Sequence, residues 1–354
     1  MAEIMAEGQR NVLEWLKTEA SPEEIKELMP FLKGNCEASE SAADMELKTA
    51  ALERLATCAA KDSGQSVTDQ SLLTKMLMKT ADTGALTIGS RNGIEKQGRA
   101  QIEGGRLTLI EYNILRSIVS YQLDNEAMTD REITLTASQI YRKMRRGKGS
   151  GKVNKSQQEK IHAAMLGLDR WVSYWLNDDA REWLNIDEKR LRHRKLLQFG
   201  FDEGFINGQR TEFYYTIYNV GLLQEIAYKA GQLERIPQEV LAIQEYKGEK
   251  WKDWTLSETR IKLRTVLELF YYQLIRSASI ISNKKPYSDI FAACEIGTHR
   301  ETRKRAKEDI KTILNYWQHL GLFESWSEYG NSRGIEIYLK KEGAENGLLS
   351  SENA

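Results

Sequence analysis

The sequence predicts a mainly α-helical chain with short β-hairpins, an α+β protein built as two similar helix-and-hairpin units behind a helical N-terminal segment. Two observations carry that expectation. Only 4 prolines occur in 354 residues, and proline is the residue that most strongly interrupts a helix. The same order of long helix, short helix, basic helix and hairpin also appears twice along the chain.

The N-terminal segment, residues 1–80, is acidic and reads as short helices. Asn11–Lys17 is one. Ser21-Pro22-Glu23-Glu24 opens another, with a cap, a proline in the first turn and early acids. Met45–Ala60 places Leu47, Ala51, Leu55 and Cys58 at helical spacing, and Gln70–Lys79 carries a further pattern. Residues 81–106 hold Gly84, Gly89, Gly93, Gly98, Gly104 and Gly105 among small polar residues and read as a glycine-rich linker or mobile strand region. The acidic helices are therefore expected to be separable from the rest, as an oligomerisation arm, a partner-docking segment or a loosely packed tail.

The first unit spans residues 107–233. Thr108–Leu123 carries a wide apolar stripe through Leu109, Tyr112, Leu115, Ile118, Val119 and Leu123. Ile133–Leu135 suits a short strand, and Thr136 caps a helix containing Ile140, Tyr141 and Met144. A basic glycine-rich turn, Arg145–Lys152, precedes a helix that begins near Asn154 and is expected to bury Ile161, Met165, Leu168, Trp171 and Trp175. Leu196–Phe199 and Thr211–Val220 read as strands, with Asn207-Gly208 as a hairpin turn. A helix over Gly221–Leu233 closes the unit.

Residues 234–256 form a connector with an exposed, tryptophan-bearing turn. The second unit, residues 257–341, repeats the order. Ser257–Ser279 is a long helix and Tyr287–Cys294 a short one, with Ser288 as its cap. Thr298 opens a basic helix whose apolar side is Ile310, Ile313, Leu314 and Trp317, and Gly321 ends it. Leu322–Trp326 and Ile335–Leu339 pair across Gly330–Gly334, and residues 342–354 read as a disordered tail. Helix, helix, helix, hairpin is the order of a winged helix-turn-helix.

Formal net charge is zero, but an acidic N-terminus leaves the excess of base downstream, in clusters. Charge acts over about 10 Å at moderate salt, so local density is what a nucleic acid meets. Arg145, Arg146, Lys148, Lys152, Lys155 and Lys160, with Arg142 and Lys143 just before them, surround the start of the third helix. A helix N-terminus welcomes phosphate. Asn154, Ser156, Gln157 and Gln158 stand where side chains reach base edges, since amides pair with adenine. In the second unit, Thr298, His299, Arg300, Arg303, Lys304 and Lys307, followed by Lys311, recur on one helix face, with Arg333 in the hairpin turn. Arg192 and Arg194, within Lys189–Lys195, precede the first hairpin as phosphate contacts. The competing reading for each cluster is a solvated charged surface.

Catalytic and cofactor signatures are not found. The chain has no G-x-x-x-x-G-K-[ST] loop, and His162, His193, His299 and His319 form no metal-binding spacing. Cys36, Cys58 and Cys294 suit free thiols rather than a disulfide or zinc framework. Asp178-Asp179 with Asp187 could be imagined as a metal pair, against the simpler role of helix-end residues. No signal peptide or membrane span is expected. The expectation is a cytoplasmic, non-enzymatic protein without a cofactor.

The stretch Leu107–Trp171, with Ile140-Tyr141-Arg142-Lys143-Met144 ahead of the basic helix, resembles the first winged helix of replication initiators from plasmids and integrative elements of Gram-positive bacteria. Arg260–Lys340 is similar in element order to the second winged helix of iteron-type initiators. The resemblance covers about Leu107–Lys340 and leaves residues 1–80 without a counterpart. It implies binding of double-stranded origin repeats, opening of nearby duplex, recruitment of a host initiator and replicative helicase, and a homodimer. A repressor of phage or mobile-element origin, and a helical interaction protein that does not bind DNA, are the alternatives.

Overall fold

The computed structural model describes residues 2–39, 41–59, 65–69, 83–89, 95–103, 107–126, 132–145, 153–187, 194–218, 222–229, 233–277 and 282–340. It is mainly helical, with small antiparallel sheets. Two compact units divide the chain, Met1–Gln238 and Glu239–Ala354. The expected helix over Gln70–Lys79 and the tail after Lys341 lie outside the described residues.

The first unit opens with α1 (Ala2–Thr18), α2 (Pro22–Ser39) and α3 (Ala42–Cys58). Ser21 starts α2 as the sequence predicts. Its Oγ accepts the Glu24 N–H at 3.3 Å, and its own N–H donates to Glu24 Oε2 at 2.8 Å. Leu16, Ala20, Ile25, Leu32, Ala50, Ala51 and Leu55 form a core among the three helices. Next come β1 (Gln65–Asp69), β2 (Thr83–Gly89), β3 (Glu95–Glu103), α4 (Leu109–Asp124), β4 (Ile133–Thr136), α5 (Ala137–Arg145) and α6 (Lys155–Leu168). The unit finishes with β5 (Trp171–Leu176), α7 (Asp178–Leu184), β6 (Arg194–Lys195), β7 (Phe199–Ile206), β8 (Gln209–Ile217), α8 (Leu222–Lys229) and β9 (Leu233–Pro237).

Local chemistry sets these boundaries. Thr108 and Glu111 form a reciprocal capping box at α4. Thr136 and Gln139 satisfy each other's backbone N–H groups at α5, at 2.9 and 2.7 Å. Asn207 and Gly208, at φ 51° and 71°, make the tight turn between β7 and β8.

A three-stranded sheet in the order β4-β8-β7 lies between two layers. On one face, His162 of α6 stacks on Phe213 with centroids 4.0 Å apart, and its Nδ1 is 3.1 Å from the Tyr215 hydroxyl. On the other, Tyr214 packs with Leu52 and Ala56 of α3. The acidic helices are thus not a separable arm. Thr49 Oγ1 accepts the Phe205 N–H at 2.9 Å, Lys33 and Lys48 hold Asp202 at 2.8 and 2.9 Å, and Gln139 Nε2 donates to the Ala56 carbonyl at 2.8 Å. A Cβ on Gly204 would come within 2.6 Å of Tyr214 and 3.1 Å of Thr49, so this close approach of α3 to β7 requires glycine.

Of the two readings of the glycine-rich stretch, linker or strand region, its described residues form strands. β2 and β3 pair from Thr83↔Gln101 to Gly89↔Glu95, and β3 continues onto β5 from Ala100↔Leu176 to Glu103↔Ser173. The hydrogen-bonding partner comes from far downstream, where local composition gives no sign of it. Trp171 and Trp175 also depart from expectation. Rather than ending a helix in the core they belong to β5, and they are 61% and 51% exposed. The Trp-Val-Ser-Tyr-Trp-Leu run has strand periodicity, which buries Val172, Tyr174 and Leu176 instead.

The second unit contains β10 (Gln244–Lys247), β11 (Lys250–Asp253), α9 (Glu258–Ser277), β12 (Lys284–Pro286), α10 (Tyr287–Ala293), α11 (Arg300–His319), β13 (Ser325–Tyr329) and β14 (Gly334–Tyr338). Its sheet order, β12-β14-β13, repeats that of β4-β8-β7. Trp317 is fully buried, and its indole donates to the Val240 carbonyl at 3.0 Å. The connector tryptophans are half-buried rather than exposed: Trp251 stacks on His319 and Trp254 lies under the Arg260 guanidinium. Pro286, without a side-chain hydrogen bond, takes the cap position of α10 expected of Ser288.

The repeat extends to sequence. Leu115-Arg116-Ser117-Ile118-Val119 in α4 matches Leu263-Arg264-Thr265-Val266-Leu267 in α9. Both arginines are buried, at 3% and 0% exposure. Ser117 and Thr265 each donate to the carbonyl four residues back, at 2.8 Å.

Candidate nucleic-acid interface

In the first unit the candidate surface starts at the N-terminus of α6. Asn154 is its cap: Oδ1 accepts the Gln157 N–H at 2.9 Å, and Gln157 Oε1 accepts the Asn154 N–H at 3.0 Å. Gln157 Nε2 then donates to the Tyr141 hydroxyl of α5 at 2.9 Å. Bidentate reading of adenine needs both the oxygen and the nitrogen of one amide. Each oxygen accepts a backbone N–H of the helix start, so Asn154 and Gln157 position the start of α6. Gln158 is a clearer correction. It is 5% exposed, and its Nε2 donates to Ser138 Oγ and the Thr211 carbonyl. It ties α6 to α5 and β8.

The outward side of α6 is Lys155, Ser156, Glu159, Lys160, Ala163 and Leu166, which are exposed at helical spacing. Glu159 pairs with Arg210 of β8, which also reaches Glu203 and lies over the Phe213 ring. The acid on this face is therefore held by the hairpin. Beneath, burial lowers the pKa of His162, nearby Glu159 and Glu203 oppose that shift, and Arg210 adds to it.

Arg145 ends α5 with its guanidinium 5.4 Å from the Tyr141 ring centre. Lys143 turns inward instead. It is fully buried, 3.7 Å from Asp124 and 5.2 Å from the Tyr121 ring centre. Arg146, Lys148, Lys152 and Arg192 lie outside the described residues. Arg194 is exposed in β6.

In the second unit, Thr298 and His299 are exposed ahead of α11, and His299 is its cap without a side-chain hydrogen bond. Arg300 and Lys304 face outward, joined by Arg305, which the spacing argument did not single out. Two other cations serve the fold. Arg303 Nε donates to the Gly297 carbonyl at 3.1 Å, with its guanidinium 5.6 Å from the Phe291 ring centre. Lys307 Nζ donates to the Ser332 carbonyl at 2.9 Å and stands 4.5 Å from the Tyr287 ring centre. Lys307 thereby fastens α11 to the hairpin turn, where Arg333 is exposed. Lys311 lies 3.4 Å from Glu328, whose carboxyl is held below the usual range chiefly by the Tyr287 hydroxyl.

Sequence reasoning missed Arg210 and Arg305. Arg210 had no local signal, because its partner Glu159 lies on another element. Arg305 did have one, since it is adjacent to two chosen cations.

Asp178 and Asp179 lie in the first turn of α7, where Asn177 caps the helix, and Asp178 pairs with Arg181. Among the described residues, no group of three or more His, Cys, Asp or Glu could hold a metal ion. Nor is any described helix long and apolar enough to cross a membrane. Compared with family models, curated proteins and solved structures, the chain matches none.

Proposed function

We propose that the chain is a non-enzymatic, cytoplasmic protein that binds double-stranded DNA through two winged helix-turn-helix modules. In this reading it is a replication initiator of a plasmid or mobile element, which recognises origin repeats as a homodimer and recruits a host initiator and replicative helicase. The helices α6 and α11 each enter a major groove. The β7–β8 and β13–β14 hairpins act as wings against flanking phosphates.

One observation carries the reading. Helix, strand, helix, helix and hairpin recur in the same order, with the first strand beside the last in both sheets. In each copy the third helix keeps cations on an outward face, Lys155 and Lys160 in α6 and Arg300, Lys304 and Arg305 in α11. The hairpin beside each helix is fastened to it, through Arg210–Glu159 and through Lys307 and the Ser332 carbonyl. A cationic helix held rigidly beside a hairpin is a suitable shape for a groove and its bordering phosphates.

An electrophoretic shift with the DNA flanking the chain's own gene tests this. The expected result is a retarded complex at low salt that survives competition by unrelated duplex. Absence of any complex at low salt would refute it.

A further inference from the structure

A strand at a sheet edge carries a row of unpaired backbone N–H and C=O groups that templates another strand, and folded chains blunt such edges. Most of the described edges are blunted. β12 is Lys284-Lys285-Pro286, and β6, Arg194-Lys195, is two residues long and cationic. β4 has only four residues, and α3 covers β7, where Thr49 Oγ1 accepts the Phe205 N–H at 2.9 Å. β13 carries Glu328, and both strands of the β10–β11 hairpin are charged. In the β1–β9 pair stand Asp69, Glu234, Arg235 and Pro237. β2 differs. It is the outer strand of the sheet β2-β3-β5-β6, and among the described residues no strand lies on its other side. Its seven residues, Thr-Gly-Ala-Leu-Thr-Ile-Gly, include no charge and no proline.

We propose that β2 pairs antiparallel with β2 of a second copy of the chain, centred on Leu86, so that a two-fold axis joins the two sheets edge to edge. This supplies a surface for the homodimer of the proposed function and rests on that part of the reading alone. Charge selects the occupant. An uncharged strand offers no counter-charge to a basic or acidic partner, but lies against its own copy with no like charges opposed. The register agrees. Centred on Leu86, the pairs are Thr83↔Gly89, Gly84↔Ile88 and Ala85↔Thr87, so all seven residues find a partner. Gly84 is in line with Ala100 and, through it, with Leu176, which is 2% exposed. Leu86 and Ile88 alternate onto that same face. Residues directly opposite in a ladder share a face, so the apolar rows of the two copies run on as one. Thr83 is instead in line with Gln101 and Trp175, on the face where Trp175 is 51% exposed, and Ala85 and Thr87 follow it.

Sedimentation velocity of the full chain, at concentrations up to about 100 μM, tests the proposal. The native chain should dimerise. Ala85 and Thr87 stand opposite each other across the interface, so A85K/T87K alone, or A85E/T87E alone, opposes like charges. Dimerisation of either variant should weaken about tenfold or more. An equimolar mixture of the two opposes lysine with glutamate and should restore dimerisation to near the native strength, which also shows that both variants fold. Hydrogen exchange of the native chain gives a reading free of substitutions: protection over Thr83–Gly89 should rise as the dimer forms. The proposal is overturned if the native chain stays monomeric, if either variant dimerises as the native chain does, or if the mixture of folded variants stays monomeric. Protection of β2 that does not change on dimerisation would also overturn it, placing the contact elsewhere. A dimer that fails to shift duplex would leave this interface standing and remove the duplex reading. A monomer that shifts duplex would remove the interface alone.

Discussion

Asn154 illustrates how a single side chain changes role between sequence and structure. An amide at the start of a basic helix is equally suited to a base edge or to a free backbone N–H, and its spacing to Gln157 fits both. The reciprocal bonds at 2.9 and 3.0 Å decide for the cap. Asn154→Ala should therefore cost about 0.5–2 kcal/mol of stability, while Asn154→Asp, which keeps the oxygen, should stay close to native. Urea denaturation of the three proteins reads this directly. Equal stability of all three would remove the capping role. Lys143 carries the same lesson with opposite sign. Its position in a basic run suggests solvent, yet Asp124 and Tyr121, from the preceding helix, draw it into the core.

Whole elements were legible where their signals were local. Thr136 as a cap, Asn207-Gly208 as a turn and the start of α6 near Asn154 all follow from residues within a few positions of one another. The docking of elements on distant partners was not. β3 pairs with β5, and α3, itself legible as a helix, docks on β7, through contacts that no window of sequence contains. Asp202 joins α2 and α3 to that sheet. Burial alone would raise its carboxyl, but Lys33 and Lys48 outweigh burial and hold it below the usual aspartate range. Because the folded value is lowered, the contribution is present above the unfolded value, about pH 3.9, and is lost as pH falls through the lower folded value. The stability difference between the native chain and Asp202→Asn should accordingly be largest at neutral pH and shrink as pH falls below about 4. Denaturation curves at several pH values measure it. A difference that stays constant on acidification would mean that the Asp202 charge contributes nothing.

At the scale of the molecule, element order makes the repeat visible, while its trace in the sequence is short. The shared Leu-Arg-Ser/Thr segments place an arginine in the core, and hydropathy marks such a residue as solvent-facing. In the first copy β5, α7 and β6 lie between the third helix and the hairpin, whereas the second copy passes from α11 to β13 through a short turn. That insertion carries the exposed tryptophans, which makes the two copies unequal in surface chemistry while alike in frame.

The central claim, duplex binding through two cationic helices, is tested most directly by a salt titration of duplex affinity. The native chain is compared with a variant in which Arg300, Lys304 and Arg305 are all alanine. For the native chain, log K should fall linearly with log salt. The variant should bind more weakly at every salt concentration, with a slope shallower by about two to three. An unchanged slope, or a native chain that fails to bind duplex at low salt, would contradict the account.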